Sequence, residues 1–233
     1  MQDRERERYD TIRRRWPELF VNPPGAAYEI LFEPSLVRAA EDEDEARLTA
    51  RGFPAAWAKT GVVYEDPFII LVRDAVRRPD RSLGSYSRKL AASGAAGVVV
   101  LPVFEDKIVL ICQFRHATRT QHLEVPRGFG EPGVSAADQA RAELREEIQA
   151  EADSLVELGS FHSNTGDSSG STELFLANIH DFGQPQESEG ITDIVLKEPK
   201  HVAELIRDGE ITDSFTIGAF TRAWLRGLLP GLP

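Results

Sequence analysis

The longest apolar stretch of the chain runs from Ala95 to Phe104, interrupted by Gly97 and Pro102. Its β-branched residues predict a strand at Gly97–Val103, a turn at Glu105–Asp106 and a returning strand at Lys107–Phe114. A loop rich in Gly and Pro follows, from Val125 to Gly133. From about Ser135 to about Ala150 the period changes: Ala140, Leu144 and Ile148 recur at helical spacing and form one packing stripe. Ser135 and Asp138 have the spacing of a capping box at the start of that helix. Further strands are expected at Val156–His162, Thr172–Asn178 and Gly190–Leu196, and two helices, Lys200–Asp208 and Asp213–Gly227, close the chain. Upstream, Phe68–Val72 and Ser82–Tyr86, separated by a turn at Arg77–Asp80, predict a small sheet or extended hairpin.

The first 51 residues have a different texture. They are dense in charge, with a strong break at Asn22–Pro23–Pro24–Gly25 and a short apolar run from Tyr28 to Phe32. The run Glu41–Asp42–Glu43–Asp44–Glu45 reads as a solvated helix face or a mobile loop. The texture shifts suggest an accessory arm at 1–59, a β extension at 60–93 and a core domain at 94–233.

Charge narrows the classes of partner. With 27 Lys and Arg against 38 Asp and Glu, the formal charge is −11. That balance disfavours tracking of a nucleic-acid duplex and docking on an anionic membrane, both of which rely on Lys and Arg. An anionic ligand would need a local device such as a metal ion or an Arg cluster. Cys112 is the only cysteine, so neither a disulfide framework nor a thiolate-rich metal site is possible within the chain. The start lacks the apolar region of a signal peptide, and a cytoplasmic setting is expected.

The helix after the Gly-rich loop carries the chemistry. Glu143 and Glu147 are i,i+4 neighbours beside its packing stripe, and Glu146 turns further outward. Carboxylates so close to a packing face repel one another and lose hydration unless a cation joins them. Oxygen ligands without His or Cys suit a hard cation, Mg²⁺ or Mn²⁺. In the loop, Gly128, Gly130 and Gly133 let the backbone turn sharply and approach a metal or phosphate.

Together the loop and helix resemble the Nudix box, G-x5-E-x7-R-E-U-x-E-E-x-G-U with U a bulky apolar residue. Aligning its first Gly with Gly128 places Glu143, Leu144, Glu146 and Glu147 on the E-U-x-E-E core. Val134 stands at the upstream Glu, Ala142 at the Arg, Gln149 at the second Gly and Ala150 at the last apolar place. Outside the box, Gln113–Phe114–Arg115 followed by Leu123–Glu124–Val125–Pro126–Arg127–Gly128 is similar to the Q-Y-R … E-L-P-A-G run of the ADP-ribose pyrophosphatase-like branch. Gly209–Glu210–Ile211–Thr212–Asp213 is similar to that branch's G-x-I-x-D ending. The resemblance covers about residues 60–225.

This resemblance implies an α/β fold, the Nudix α/β/α sandwich with a mixed sheet, carrying an N-terminal β extension and a helical arm. It implies Mg²⁺- or Mn²⁺-dependent hydrolysis of a nucleoside diphosphate linked to another group, of ADP-ribose or nucleotide-sugar type. Glu143 and Glu147 would be the principal metal ligands, with Glu146 as a third carboxylate and the Arg127 carbonyl as a backbone ligand. The general base would come from a later loop, through Glu187 or Glu189, with Asp167 and Glu173 as substitutes. Arg115, Glu124, Arg127 and Gly128 would meet the substrate, although an ion pair suits Arg115 equally well and Glu124 suits a structural or dimer role. A homodimer with exchanged N-terminal strands is implied too. The family's S-P-G-x-S-x-E loop is matched only in part by Asn164–Gly170, with Gly170 at the acidic position; this departure and those at Val134, Ala142 and Gln149 motivate the alternative, a Nudix-fold module that binds a nucleotide or partner without hydrolysis.

Overall fold

In the computed structural model, which describes residues 2–231, the charge-dense opening is helical: α1 spans Gln2–Arg15. Position 1 of the expected arm and positions 232–233 of the expected core lie outside the described residues. After α1 come β1 (Glu29–Ile30), α2 (Pro34–Ala50), β2 (Gly61–Glu65), β3 (Ile69–Arg77) and β4 (Leu83–Ala91). Strand β3 organises an antiparallel sheet, pairing β1 and β2 on one side and β4 along its full length on the other. Tyr9 of α1 donates its hydroxyl to Asp74 on β3, and Arg88 on β4 binds the same carboxylate. Ile12, Phe20, Val62, Ile70, Val72 and Leu90 form the apolar core of this unit.

The acidic run corrects the reading of a wholly solvated face. It lies within α2, but Glu41 and Asp44 are buried. Glu41 accepts the Thr60 amide at 2.9 Å and hydroxyl at 2.7 Å, and Lys59 stands 3.2 Å away. Asp44 takes the Ser85 amide together with Arg47 and Arg78. Positions spaced by three lie on one helix face, and here that face meets donors rather than water.

The residues up to Gly94 together with Asn164–Gly170 form one unit; Ala95–Ser163 and the residues from Ser171 onward form the other. Segment Asn164–Gly170 joins the first unit through β4: the Lys89 amide donates to the Asp167 carbonyl at 2.6 Å, and the Ser169 amide to the Lys89 carbonyl at 3.0 Å.

The second unit contains β5 (Gly97–Phe104), β6 (Lys107–Arg115), β7 (Thr120–Glu124), β8 (Arg127–Gly128), α3 (Ala136–Ile148), β9 (Ala152–Phe161), β10 (Thr172–Ile179), β11 (Ile191–Lys197), α4 (Pro199–Arg207) and α5 (Ser214–Leu225). Its sheet runs β11-β6-β5-β10-β9 and is mixed, with β5 and β10 parallel and β5–β6 antiparallel. Alternate residues of β5 serve different cores. Val99, Leu101 and Val103 pack with Val202 and Leu205 of α4 and Phe220 of α5. Val98 and Val100 pack with Ala140, Leu144 and Ile148 of α3. A strand covered by helices on both faces has no polar side to present, so it reads as an unbroken apolar run.

The β5–β6 hairpin turns at Glu105 and Asp106, both left-handed (φ +47° and +64°), and then forks. Only Val103–Ile108 and Phe104–Lys107 pair directly. Beyond them β7 pairs with β6 (Glu124 opposite Ile111) and β8 with β5 (Arg127 opposite Val99). The fork carries Glu124, Arg127 and Gly128 into the middle of the sheet. Strand β7, with the sequence TQHLE, has no apolar period to announce it.

Candidate active site

Helix α3 begins at an N-cap serine: the Ser135 hydroxyl accepts the Asp138 amide at 3.1 Å. It ends at Gln149, a left-handed C-cap with φ +54° whose amide bonds the Arg145 and Leu144 carbonyls. This is the position where the pattern has its second glycine, the residue that enters this conformation at least cost. Between the caps, the stripe of Ala140, Leu144 and Ile148 is fully buried. Burying one such leucine side chain contributes about 1.5–3 kcal/mol. The packing fixes the helix rotation, and with it Glu143 and Glu147, which are buried beside the stripe. Glu146 is exposed on the neighbouring face.

Gly128 lies directly against Glu143. A Cβ at Gly128 would fall 1.9 Å from Glu143 Oε1, so any other residue there would displace the carboxylate from its place against β8. Gly130 is the more rigidly constrained, since its Cβ would fall 1.9 Å from the backbone carbonyl oxygen of Ala96. On its other side Glu143 accepts a hydrogen bond from Gln139 Nε2, 2.8 Å from Oε1, one helical turn earlier. Gln139 supplies a neutral donor to a box carboxylate in a helix where Ala142 occupies the arginine position. Sequence reasoning overlooked it, although its i,i+4 spacing to Glu143 was a usable signal.

Glu147 is the most enclosed carboxylate of the group, only 1% exposed, and its Oε2 has no hydrogen-bond partner. Burial, followed by the charges of Glu143 and Glu189, pushes its pKa up to about 8, against smaller opposing effects of Arg115 and the Arg127 amide, which donates to it. Burial also raises Glu143, where the Gln139 bond opposes it and Glu146, Glu189 and Glu131 add to it. Glu131 is a second group the sequence reading overlooked; it lies on the loop between Gly130 and Pro132, three residues before Val134.

Glu189 reaches this cluster through its loop. The Glu187–Glu189 turn is held by Gln113, whose Nε2 donates to the Glu189 carbonyl at 2.9 Å, and by the Phe114 amide on the Gly190 carbonyl at 2.9 Å. The Gln186 amide bonds the Glu147 carbonyl at 3.0 Å, and the Gly183 amide the Ile148 carbonyl at 2.8 Å, which ties the loop to the end of α3. Glu187, Asp167 and Glu173 are not among the charges that chiefly act on Glu143 or Glu147. Asp167 lies in the first unit beside β4, and Glu173 sits within β10.

The remaining expected contacts form one network. Glu124 is 2% exposed and its Oε2 accepts Arg115 Nε at 2.8 Å and Arg127 Nη2 at 3.1 Å. Arg127 also stands 3.4 Å from Asp213 and over the Phe215 ring, 4.8 Å from its centroid. Asp213 caps α5 through the Thr216 amide at 2.8 Å, and the Thr216 hydroxyl accepts the Val125 amide at 3.1 Å. Two guanidinium groups and two carboxylates thus balance. His116 and His122 bond Arg119 and Thr118 at the β6–β7 turn.

The oxygen set around Glu143 and Glu147 suits a hard divalent cation. A buried carboxylate oxygen without a partner, a second carboxylate beside it and three more carboxylates acting on the pair form an oxygen-only set that a cation would relieve. Glu143 and Glu147 are the side chains best able to hold it. Among the described residues, no three His, Cys, Asp or Glu side chains are drawn as tightly together as a closed metal shell. Uncompensated carboxylates repel one another, which opposes such closure.

A family model described as NUDIX domain matches residues 94–211. The ADP compounds hydrolase NudE of Escherichia coli (strain K12) is 23% identical over 145 residues, covering 60% of this chain and 76% of that protein. The crystal structure of an ADP compounds hydrolase aligns with a TM-score of 0.61 at 19% identity, over 72% of this chain and 92% of the other, a likeness of fold. No helix among the described residues is long and apolar enough to cross a membrane.

Proposed function

The chain belongs to the NUDIX domain family and is a hydrolase of phosphoanhydride bonds, and from that premise we propose that it cleaves the diphosphate of a nucleoside diphosphate linked to a second group, of ADP-ribose or nucleotide-sugar type, with Mg²⁺ or Mn²⁺. The observation that carries this reading is the buried pair Glu143 and Glu147, with Oε2 of Glu147 unpartnered and Gly128 pressed against Glu143. The similar E. coli protein, named for hydrolysis of ADP compounds, supports the substrate class.

Glu143 and Glu147 would hold the cation, with Glu146 and the Arg127 carbonyl completing the set. When bound, the cation neutralises the diphosphate and makes water a better nucleophile. Glu189, on the loop whose backbone Gln113 holds, would accept the proton of the attacking water, with Glu187 as the neighbouring candidate. An oxygen–phosphorus bond forms to that water while the bridging oxygen–phosphorus bond breaks, and the bridging oxygen leaves on the other phosphate. Arg115 and Arg127, held by Glu124, would orient the phosphates; a held side chain loses less entropy on binding.

The departures at Ala142 and Gln149 do not favour a binder that lacks catalysis. Gln139 donates to Glu143, and Gln149 adopts the left-handed cap, so both local needs are met. The test is incubation with ADP-ribose, nucleotide sugars and dinucleoside polyphosphates, with Mg²⁺ and with Mn²⁺. A folded protein that turned over none of them would refute the proposal. Light scattering would test the homodimer that forms part of the same reading.

A further inference from the structure

The N-terminal unit contains a cavity of about 220 Å³ that the hydrolase reading leaves without a role. Four guanidinium groups from three elements line it, Arg6 and Arg13 of α1, Arg38 of α2 and Arg73 of β3, against two carboxylates, Asp10 and Glu41. Both carboxylates are already engaged. Asp10 lies 3.5 Å from Arg13, and Glu41 takes two hydrogen bonds from Thr60 and one from Lys59.

Arg73 is the decisive group. It is half-buried on the sheet, yet its guanidinium donates only to neutral acceptors, the Lys59 carbonyl at 3.0 Å and the Ser87 hydroxyl at 3.3 Å. No carboxylate among the described residues pairs with it. A cation removed from water without a counter-charge is costly, and an incoming anion would relieve that cost. Burial lowers its pKa, with only the more distant charge of Asp44 opposing. Arg38 also lines the cavity and is exposed; Glu33 acts on it as a nearby charge, but no carboxylate within ion-pair distance is seen among the described residues. In a protein of charge −11, holding an anion needs a local device, and gathered guanidinium groups supply one without a metal. Groups converging from three elements match the oxygens of a tetrahedral phosphate better than the two of a planar carboxylate.

We propose that this cavity binds a small phosphate-bearing molecule, held by Arg6, Arg38 and Arg73. The site lies within the N-terminal unit and does not depend on the carboxylates of α3.

Calorimetric titration of the full chain with inorganic phosphate, glycerol phosphate and acetate, in EDTA throughout, provides the test. EDTA removes any cation from the carboxylates of α3, and binding that is lost in the cavity variants reports the arginine cavity rather than Arg115 and Arg127. The expected result is saturable binding of one or both phosphate compounds, weakened about tenfold or more in Arg38→Glu and in Arg73→Gln. Arg14→Glu, on α1 but outside the cavity, controls for the change in overall charge and should bind as the wild type does. Because Arg38 is exposed, its variant keeps the test valid if Arg73→Gln fails to fold. Stronger binding of glycerol phosphate would identify a phosphate ester as the ligand; equal binding would identify free phosphate. Absence of saturable phosphate binding, acetate binding as tight as phosphate, or equal affinity in Arg38→Glu and Arg14→Glu would overturn the proposal.

Discussion

Replacing Glu147 by Gln should stabilise the metal-free protein, by an amount that grows with pH. The carboxyl has its pKa raised by burial and by Glu143 and Glu189, from an ordinary 4.5 to about 8. The folded state therefore keeps a proton that the unfolded state has lost. Stability contributed by this group is complete below pH 4.5 and falls as pH rises towards 8. Each pH unit in that window is worth about 1.4 kcal/mol, giving a ceiling of about 5 kcal/mol at pH 8. Relaxation around the charge and its coupling to Glu143 reduce this, and an effect of about 2–3 kcal/mol is expected. Gln keeps the shape, and its oxygen can still accept the Arg127 amide.

Urea unfolding in EDTA at pH 5 and pH 8 separates this effect from all other titrating groups, which both proteins share. The variant should lie close to wild type at pH 5 and above it at pH 8, with similar denaturant slopes. Adding Mg²⁺ should then raise the wild type alone, by about 2.7 kcal/mol at a hundredfold excess over its Kd. Equal pH dependence in the two proteins, or a variant less stable at pH 8, would refute the reasoning.

Gly128→Ala places a methyl where Glu143 Oε1 lies; hydrolysis should fall about a hundredfold with little change in circular dichroism, and full activity would contradict the packing argument. Gln139→Ala removes the donor to Glu143 at 2.8 Å, so the apparent affinity for Mg²⁺ should weaken about tenfold in a metal titration followed by thermal shift. Gln149→Gly relieves a left-handed residue at φ +54° and should stabilise by about 0.5–1 kcal/mol in urea unfolding, whereas a loss would mean that the packing of Gln149 against Gly183 outweighs the backbone gain.

The parts legible in the sequence were those whose pattern repeats. The stripe of Ala140, Leu144 and Ile148 gave α3 its length and rotation, and the unbroken run through β5 marked a strand covered on both faces. What escaped depends on contacts between distant segments. Strand β7 is polar and half-exposed, and its place follows from the fork of β5 and β6. Among the described residues of α1 only Ile12 is buried, with Tyr9 packed beside it, and polar contacts from Tyr9 to Asp74 and from Arg8 to Glu65 tie the helix to the sheet. Glu187 and Glu189 could not be ranked by position alone. Their separation appears once Gln113 and the end of α3 hold the loop, because Glu189 then acts on Glu143 and Glu147.

The two acidic helices show why charge patterning could not by itself separate structural from functional carboxylates. Glu41 and Asp44 of α2, like Glu143 and Glu147 of α3, lie on one helix face at intervals of three or four, and all four are buried. Burial raises the pKa of Glu41, but the two bonds from Thr60 and the ammonium of Lys59 outweigh it and leave the group below its ordinary value. The same penalty at Glu147 meets only one backbone amide and the more distant Arg115, while Glu143 and Glu189 add to it. Donors therefore settle what each acid does. A carboxylate saturated by its own chain stays ionised and anchors a helix, whereas one left with an unpartnered oxygen among like charges has a strong electrostatic preference for an added cation. Gln139 is within reach of spacing arguments, but the donors that separate Glu41 from Glu147 come from elsewhere in the chain, Thr60 for one and Arg127 for the other, and spacing within a helix cannot reveal those.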